Sequence, residues 1–333
     1  MSSEFATAVV AWNGRFVAVG HHFDGPPEAI FFANAPRLWT SSDGRAWNEQ
    51  AVDLGTQDVS LLGLAPLGDG RLLVIGVVGG SSGPPTRTAA WASDDVLTWR
   101  QVDLRLPNGV VARSFAFGPK GYALSAGAQL WYSADGLAWA LAHEVPEGGG
   151  LHTVVAGDEG FVARGYQDPR SGIATVFASG DGRTWFEARS LPGAGAIEVT
   201  SLGGDWLAVA YDREWSTISV WWSANGLDWT RTLDVNELTG PDGPKAGQGM
   251  ASGITGGALA SGGGRAYLTL TWNHCCVQMA VNLGVWTSVD GAAWSPEAFE
   301  DGFIRSVASY GKVTVLAGHT GRGKTAAFWI AEP

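Results

Sequence analysis

The chain is poor in cysteine, poor in charge and without a long apolar run, and each scarcity removes a class of protein. Only two cysteines occur in 333 residues, and they are adjacent, Cys275 and Cys276. That leaves no disulfide framework and no CxxC metal spacing; two reduced thiols or a strained vicinal disulfide both fit the pair. Charged residues make up 16% of the chain, with 32 acidic against 21 basic and a net charge of −11. An acidic chain lacks the counterion-release drive toward nucleic acid and is repelled by anionic membrane surfaces, so neutral or cationic partners are expected. No apolar run reaches the roughly 18 residues of a membrane helix. MSSEFATAVV lacks the basic start and apolar stretch of a signal peptide. A cytoplasmic protein is expected if Met1 is the native start, and an exported one if a leader was trimmed.

What is abundant is turn and ring. Forty-eight glycines, 15 prolines and 17 tryptophans describe short aromatic strands joined by many turns. The class expected is all-β.

One phrase recurs six times: LWTSSDGRAW, AAWASDDVLTW, LWYSADGLAW, VFASGDGRTW, VWWSANGLDW and VWTSVDGAAW. Aligned on Ser41, Ser93, Ser133, Ser179, Ser223 and Ser288, it returns after 52, 40, 46, 44 and 65 residues, the period of a propeller blade. A strand runs into Ser-x-Asp-Gly, where Asp43 and its counterparts bond their own turn and Gly44 takes a positive φ. Trp47 then opens the returning strand and lays its ring over the turn. Asn225 in place of aspartate tolerates the same turn, whereas Val96 in place of glycine is expected to force a different or looser one.

This phrase resembles the Asp-box, or BNR, repeat of sialidases, sortilin-type receptors, xyloglucan hydrolases and a photosystem assembly factor. The resemblance implies a fold element rather than an activity. Sialidases are six-bladed and carry an early Phe/Tyr-Arg-Ile-Pro motif, which this chain lacks, its first arginine being Arg15. The related xyloglucan hydrolases clasp glycan between two seven-bladed rings, and one ring is written here.

Two further strands precede each phrase, and RSVASYGKVTVLAG followed by AAFWIAEP supplies a seventh unit with Trp329. The expected fold is therefore a seven-bladed β-propeller of A, B, C and D strands, with the hairpins between C and D and the seventh blade lacking its outer strand. The blades cover approximately 5–55, 58–105, 110–146, 150–191, 196–236, 250–300 and 303–333 of one domain. The five residues before the first strand A look too short to replace the missing strand. Twelve tryptophans are internal to the repeat; Trp12, Trp206, Trp215, Trp222 and Trp272 are not explained by it.

Because strands alternate in direction, the A-to-B and C-to-D turns leave one end of the ring and the B-to-C and D-to-A connections the other. The second end carries the long, chemically varied loops, where sites are usually built. Stacking the blades there aligns Arg113, His152, Glu198 and Arg305 beside the channel, followed by Tyr166, Asp168, Arg170, Asp212, Arg213, Glu214 and Trp215. Carboxylates, guanidiniums and aromatic plates, Trp272 among them, suit a sugar or other polar ligand, with Glu198, Asp212, Glu214 or His152 available for acid–base work. A rim of salt bridges without ligand fits the same residues. His21 and His319 follow the glycine that ends strand B in blades 1 and 7, and His274 occupies the matching loop of blade 6. With His22, Cys275 and Cys276 nearby, they would suit zinc or copper, although no local ligand motif joins them.

GHTGRGKT, Gly318 to Thr325, matches a phosphate-loop expression, but a strand rather than a helix follows. GGSSG, Gly79 to Gly83, runs into Pro84 and Pro85 and reads as a loop rather than a nucleophile elbow. The expected function is recognition of a carbohydrate or similar polar molecule by a monomer, on the face opposite the hairpins. A hydrolase or lyase, a metal-dependent enzyme on the histidines, and a protein-docking scaffold are the alternatives.

Overall fold

Short apolar strands interrupted by tight turns cannot each bury two faces alone, so they assemble into sheets that cover one another. The computed structural model describes residues 2–24, 33–50, 52–56, 58–79, 84–166, 173–188, 191, 194–212, 217–238, 252–274, 277–297, 302–320 and 325–331. They form six four-stranded sheets and one three-stranded sheet, each strand antiparallel to its predecessor in the blade. Blade 1 is Ser2–Trp12, Arg15–Asp24, Ala33–Ser41 and Asn48–Gln50. Blade 7 is Gly302–Tyr310, Val313–Thr320 and Ala326–Ala331, without a fourth strand among the described residues. A four-residue helix, Val235–Leu238, follows blade 5. The architecture is a seven-bladed β-propeller.

The A strands line the axis. Each touches the A strands of both neighbouring blades, and that of blade 7 touches that of blade 1, which closes the ring. Apolar clusters fill the spaces between blades, Trp12, Leu38, Leu72 and Trp91 joining blades 1 and 2. Ala6, Val9, Trp39, Val315 and Ala317 join blades 1 and 7. Residues 2–5 do not replace the missing outer strand; they lengthen the first A strand and pair with His21 to Asp24.

All six Ser-x-Asp-Gly phrases fold into one turn. In the first, Ser41 Oγ accepts from Gly44 N at 2.8 Å, and Asp43 Oδ1 accepts from Arg45 N and Ala46 N at 2.8 and 3.0 Å. Trp47 Nε1 donates to Gly44 O at 2.9 Å. The second hairpin corrects the expectation of a looser turn. Val96 adopts φ of 65°, Asp95 still accepts from Leu97 N and Thr98 N, and Trp99 Nε1 still reaches Val96 O. Asn225 accepts the same two amide bonds through Oδ1.

Near the other end, the A strand carries a one-residue irregularity in six blades, at Thr7, Leu62, His152, Gly195, Thr255 and Arg305. The bulge swings the A-strand carbonyl toward strand B. A Cβ at Gly20 would fall on Phe5 O, one at Gly165 on Gly150 O, and one at Gly318 on Phe303 O. This close approach is why strand B repeatedly ends in glycine. Thr320 N donates to Thr325 O at 2.9 Å, and the strand Ala326–Ala331, rather than a helix, follows GHTGRGKT.

Candidate functional site

Four of the sequence-selected residues converge through that register. His152 and Arg305 occupy the bulges of blades 4 and 7, each five pairs from its A-to-B turn. Arg113 sits in the same slot of blade 3, just before the pair Ser114–Ser125, and its amide donates to Ser125 O at 2.7 Å. Glu198 stands one level nearer its turn, in a regular pair with Val209. A bulge re-aims the side chain it carries. Arg113 and Arg305 are exposed, and His152 and Glu198 are partly buried.

Sequence reasoning missed Arg164, the partner that ties this group together. It pairs with Thr153 in strand B of blade 4, where blades 1, 3, 5 and 7 have Val19, Ser125, Val209 and Ala317. A guanidinium in a register of otherwise uncharged residues was the available signal. Its Nη2 donates to Glu198 Oε1 at 2.7 Å across the boundary of blades 4 and 5. The His152 ring lies 5.3 Å from that of Tyr166.

Burial pushes the Glu198 carboxyl above its ordinary range, opposed by the positive charges of Arg164 and Arg305. Burial lowers His152, and the charges of Arg164 and Arg113 lower it further. At neutral pH the imidazole of His152 is therefore neutral, and among the described residues it stands with three guanidiniums and the one carboxyl of Glu198.

The histidine group divides. His21 and His319 pair with Phe5 and Phe303 in the same slot of blades 1 and 7. Phe5 packs against both imidazoles, at 5.6 and 4.7 Å between ring centres, and Phe303 stacks on His319 at 4.9 Å. Burial, helped by the charge of Arg305, lowers His21 to about 4. His22 Nδ1 lies 3.2 Å from Glu4 Oε1, which also faces Arg37. Among the described residues no three His, Cys, Asp or Glu side chains are grouped to hold a metal ion.

The backbones of Asp212, Trp272 and His274 lie at the mouth ends of their strands, paired with Ala194, with Ile254 and Val281, and with Ser252 and Val277. Their side chains, together with Asp168, Arg170, Arg213, Glu214, Trp215, Cys275 and Cys276, lie outside the described residues. Three of the unexplained tryptophans serve the opposite end or the core: Trp12 Nε1 donates to Gly70 O, Trp222 Nε1 to Asp205 Oδ2, and Trp206 is buried.

A recess of about 700 Å³ lies at the hairpin end, lined by Leu67, Asp69, Phe117, Lys120, Tyr122 and Asp135. Three of its polar groups are already engaged. Asp69 binds Arg71 through two bonds, Tyr122 donates to Pro66 O, and Asp135 holds its own turn. The mouth, whose guanidiniums have donors to spare among the described residues, is the better candidate.

No protein-family model matches the sequence, and no curated protein matches it. Solved structures share the fold at low identity. A prolyl endopeptidase is 14% identical with a TM-score of 0.59 over all of this chain and 48% of its own. The acylaminoacyl peptidase of Pyrococcus horikoshii is 11% identical with a TM-score of 0.56 over 98% of this chain and 51% of its own. This chain thus spans about half the length of either peptidase. An inactivated virginiamycin B lyase of Staphylococcus aureus, in complex with quinupristin, is 9% identical with a TM-score of 0.54 over 95% and 92% of the two chains. These likenesses show the propeller fold alone.

Proposed function

We propose that this chain is a single propeller domain of Asp-box type whose mouth, at the end opposite the hairpins, binds a polar ligand, with carbohydrate as the favoured class. The observation that carries the reading is the convergence of Arg113, His152, Arg164, Glu198 and Arg305 from four inner strands and one second strand onto one mouth. Rigid strands hold these groups in place before a ligand arrives, which lowers the entropy cost of recognition. The shared hairpin bonding of all six phrases supports the Asp-box assignment. Tyr166, Trp215 and Trp272, the last at the mouth end of its strand, are the aromatic residues this reading assigns to stacking on sugar.

Glu198 favours a second reading, a hydrolase or lyase. A carboxyl raised by burial beside a guanidinium is the state a proton donor needs. Asp212 or Glu214 would then serve as its partner.

Glycan-array screening followed by calorimetry tests the proposal. Binding is expected to fall at least tenfold in Trp215→Ala and in Trp272→Ala. Binding unchanged in both removes the mouth as the carbohydrate site. Hydrolysis or elimination of a bound glycan that is lost in Glu198→Gln, with binding retained, decides for the enzyme. Metal content of protein purified without an affinity tag separates a histidine-based activity from both.

A further inference from the structure

Among the described residues, the charge of the inner register runs against the charge of the chain. The protein as a whole carries −11, yet the described inner register gathers three arginines, Arg113, Arg164 and Arg305, around the carboxylate of Glu198. Glu198 engages Arg164 alone, by one bond from Nη2 to Oε1. Arg164 Nε is buried and has no hydrogen-bond partner. Among the described residues the side chains of Arg113 and Arg305 make neither hydrogen bond nor ion pair. Each guanidinium has five N–H donors in a fixed fork, so among the described residues the donors here outnumber the acceptors bonded to them.

We infer that the mouth selects an anionic ligand, one presenting a compact oxyanion such as the carboxylate or sulfate of an acidic sugar, gripped by Arg113 and Arg305 with Arg164 beneath. The inference rests on the preceding reading of the mouth and narrows its ligand class. Planar forks match planar or tetrahedral oxyanions by paired hydrogen bonds, where an ammonium would act only as a point charge. Net charge sets the long-range field, but salt at physiological strength screens it beyond about 8 Å. At contact distance the arginines of the inner register act on the ligand directly. The Arg164–Glu198 pair holds one guanidinium rigid, while the other two are free to close on the ligand.

Isothermal titration calorimetry in dilute buffer tests the inference with trigalacturonate, its methyl ester, a neutral trisaccharide, inorganic sulfate and inorganic phosphate. The acid is expected to bind at least tenfold more tightly than its ester. Its affinity is expected to weaken as sodium chloride rises, the opposite of what the net charge predicts. Arg113→Gln and Arg305→Gln, both at exposed positions, should each weaken it about tenfold with an unchanged thermal midpoint. Binding of sulfate or phosphate with the same arginine dependence, without the uronate, also upholds the oxyanion and assigns its source to the free ion. Equal binding of acid and ester, or acid binding indifferent to both substitutions, overturns the inference but leaves the polar-ligand reading standing. Binding of the neutral trisaccharide alone does the same. A mouth that takes up none of the five probes overturns the inference and the broader reading together.

Discussion

The amide of Val9 donates to Ser306 Oγ at 3.1 Å, joining the first and last blades across 297 residues of chain. The same bond joins blades 3 and 4, where Val154 N donates to Ser114 Oγ at 3.2 Å. Both serines sit one level from the bulge slot of their A strands, and both valines lie on the next blade's A strand. Among the described residues the ring is therefore closed by an interface of the kind found inside it.

Removing the acceptor at that closure leaves a buried amide without its partner, which costs about 1–2 kcal/mol. Ser306→Ala is expected to lower urea-unfolding stability by that amount, and Ser114→Ala by a similar one. A Ser306→Ala protein as stable as the parent, beside a destabilised Ser114→Ala, would show that blades 1 and 7 do not meet as the internal blades do.

Val96 sets two effects against each other. A β-branched residue at φ of 65° is strained, and glycine would relieve about 1–2 kcal/mol. The same side chain is only 1% exposed and belongs to the cluster between blades 1 and 2. Deleting it forfeits about 2 kcal/mol of burial, plus a cavity penalty and roughly 0.5–1 kcal/mol of glycine backbone entropy. Burial wins, so Val96→Gly, although it restores the repeat's own residue, should lower the thermal midpoint by a few degrees. A rise in that midpoint would mean that the strain had been underweighted.

The propeller was legible because its signals are local: a serine, an aspartate and a tryptophan at fixed spacing specify a hairpin wherever they fall. Val96 misled for the same reason. Ser93, which accepts from Val96 N, and Asp95, which accepts from Leu97 N, impose the turn against the residue's own preference. Trp12 and Trp222 stood outside the repeat because their partners, Gly70 and Asp205, lie in another blade and in another strand of the same blade. Arg164 escaped because pattern reading looks for chemistry in loops, whereas this charge sits inside an apolar strand and acquires its meaning from Glu198, 34 residues on. His152, Arg113 and Arg305 were found by aligning turns; the level of His152 and Arg305 is marked by a bulge, a backbone feature that only the recurring strand-B glycine hints at.

His21 gives the fold an acid-sensitive element with a defined window. Burial and Arg305 lower it from 6.5 to about 4. As pH falls below 6.5 the unfolded chain takes up a proton that the folded one refuses. Its contribution is thus complete above pH 6.5 and is lost between 6.5 and 4. The full effect is about 3 kcal/mol, reduced to about 2 kcal/mol by the ring's partial exposure. His21→Gln should flatten the loss of stability across that range by this amount, leaving a smaller slope from His143 and His152, which burial also lowers. A His21 ring resonance that titrates near 6.5 would contradict the assignment.

Gly165 couples the bulge to the site. A methyl group there would collide with Gly150 O and with the Leu151 backbone, neither of which can rotate away as a side chain would. Relief requires strands A and B of blade 4 to part at the level where His152 is bulged and Arg164 pairs with Thr153. Gly165→Ala is therefore expected to cost about 3 kcal/mol and, in any fraction that folds, to weaken ligand binding as strongly as loss of Arg164 does. Gly68→Ala is the control. That glycine is exposed, has no positive φ and has no atom within 4 Å of the added carbon, so stability should stay within about 0.5 kcal/mol. Equal stability and equal binding for the two variants would mean that the bulge, and the convergence of arginines it sets, does not govern the mouth.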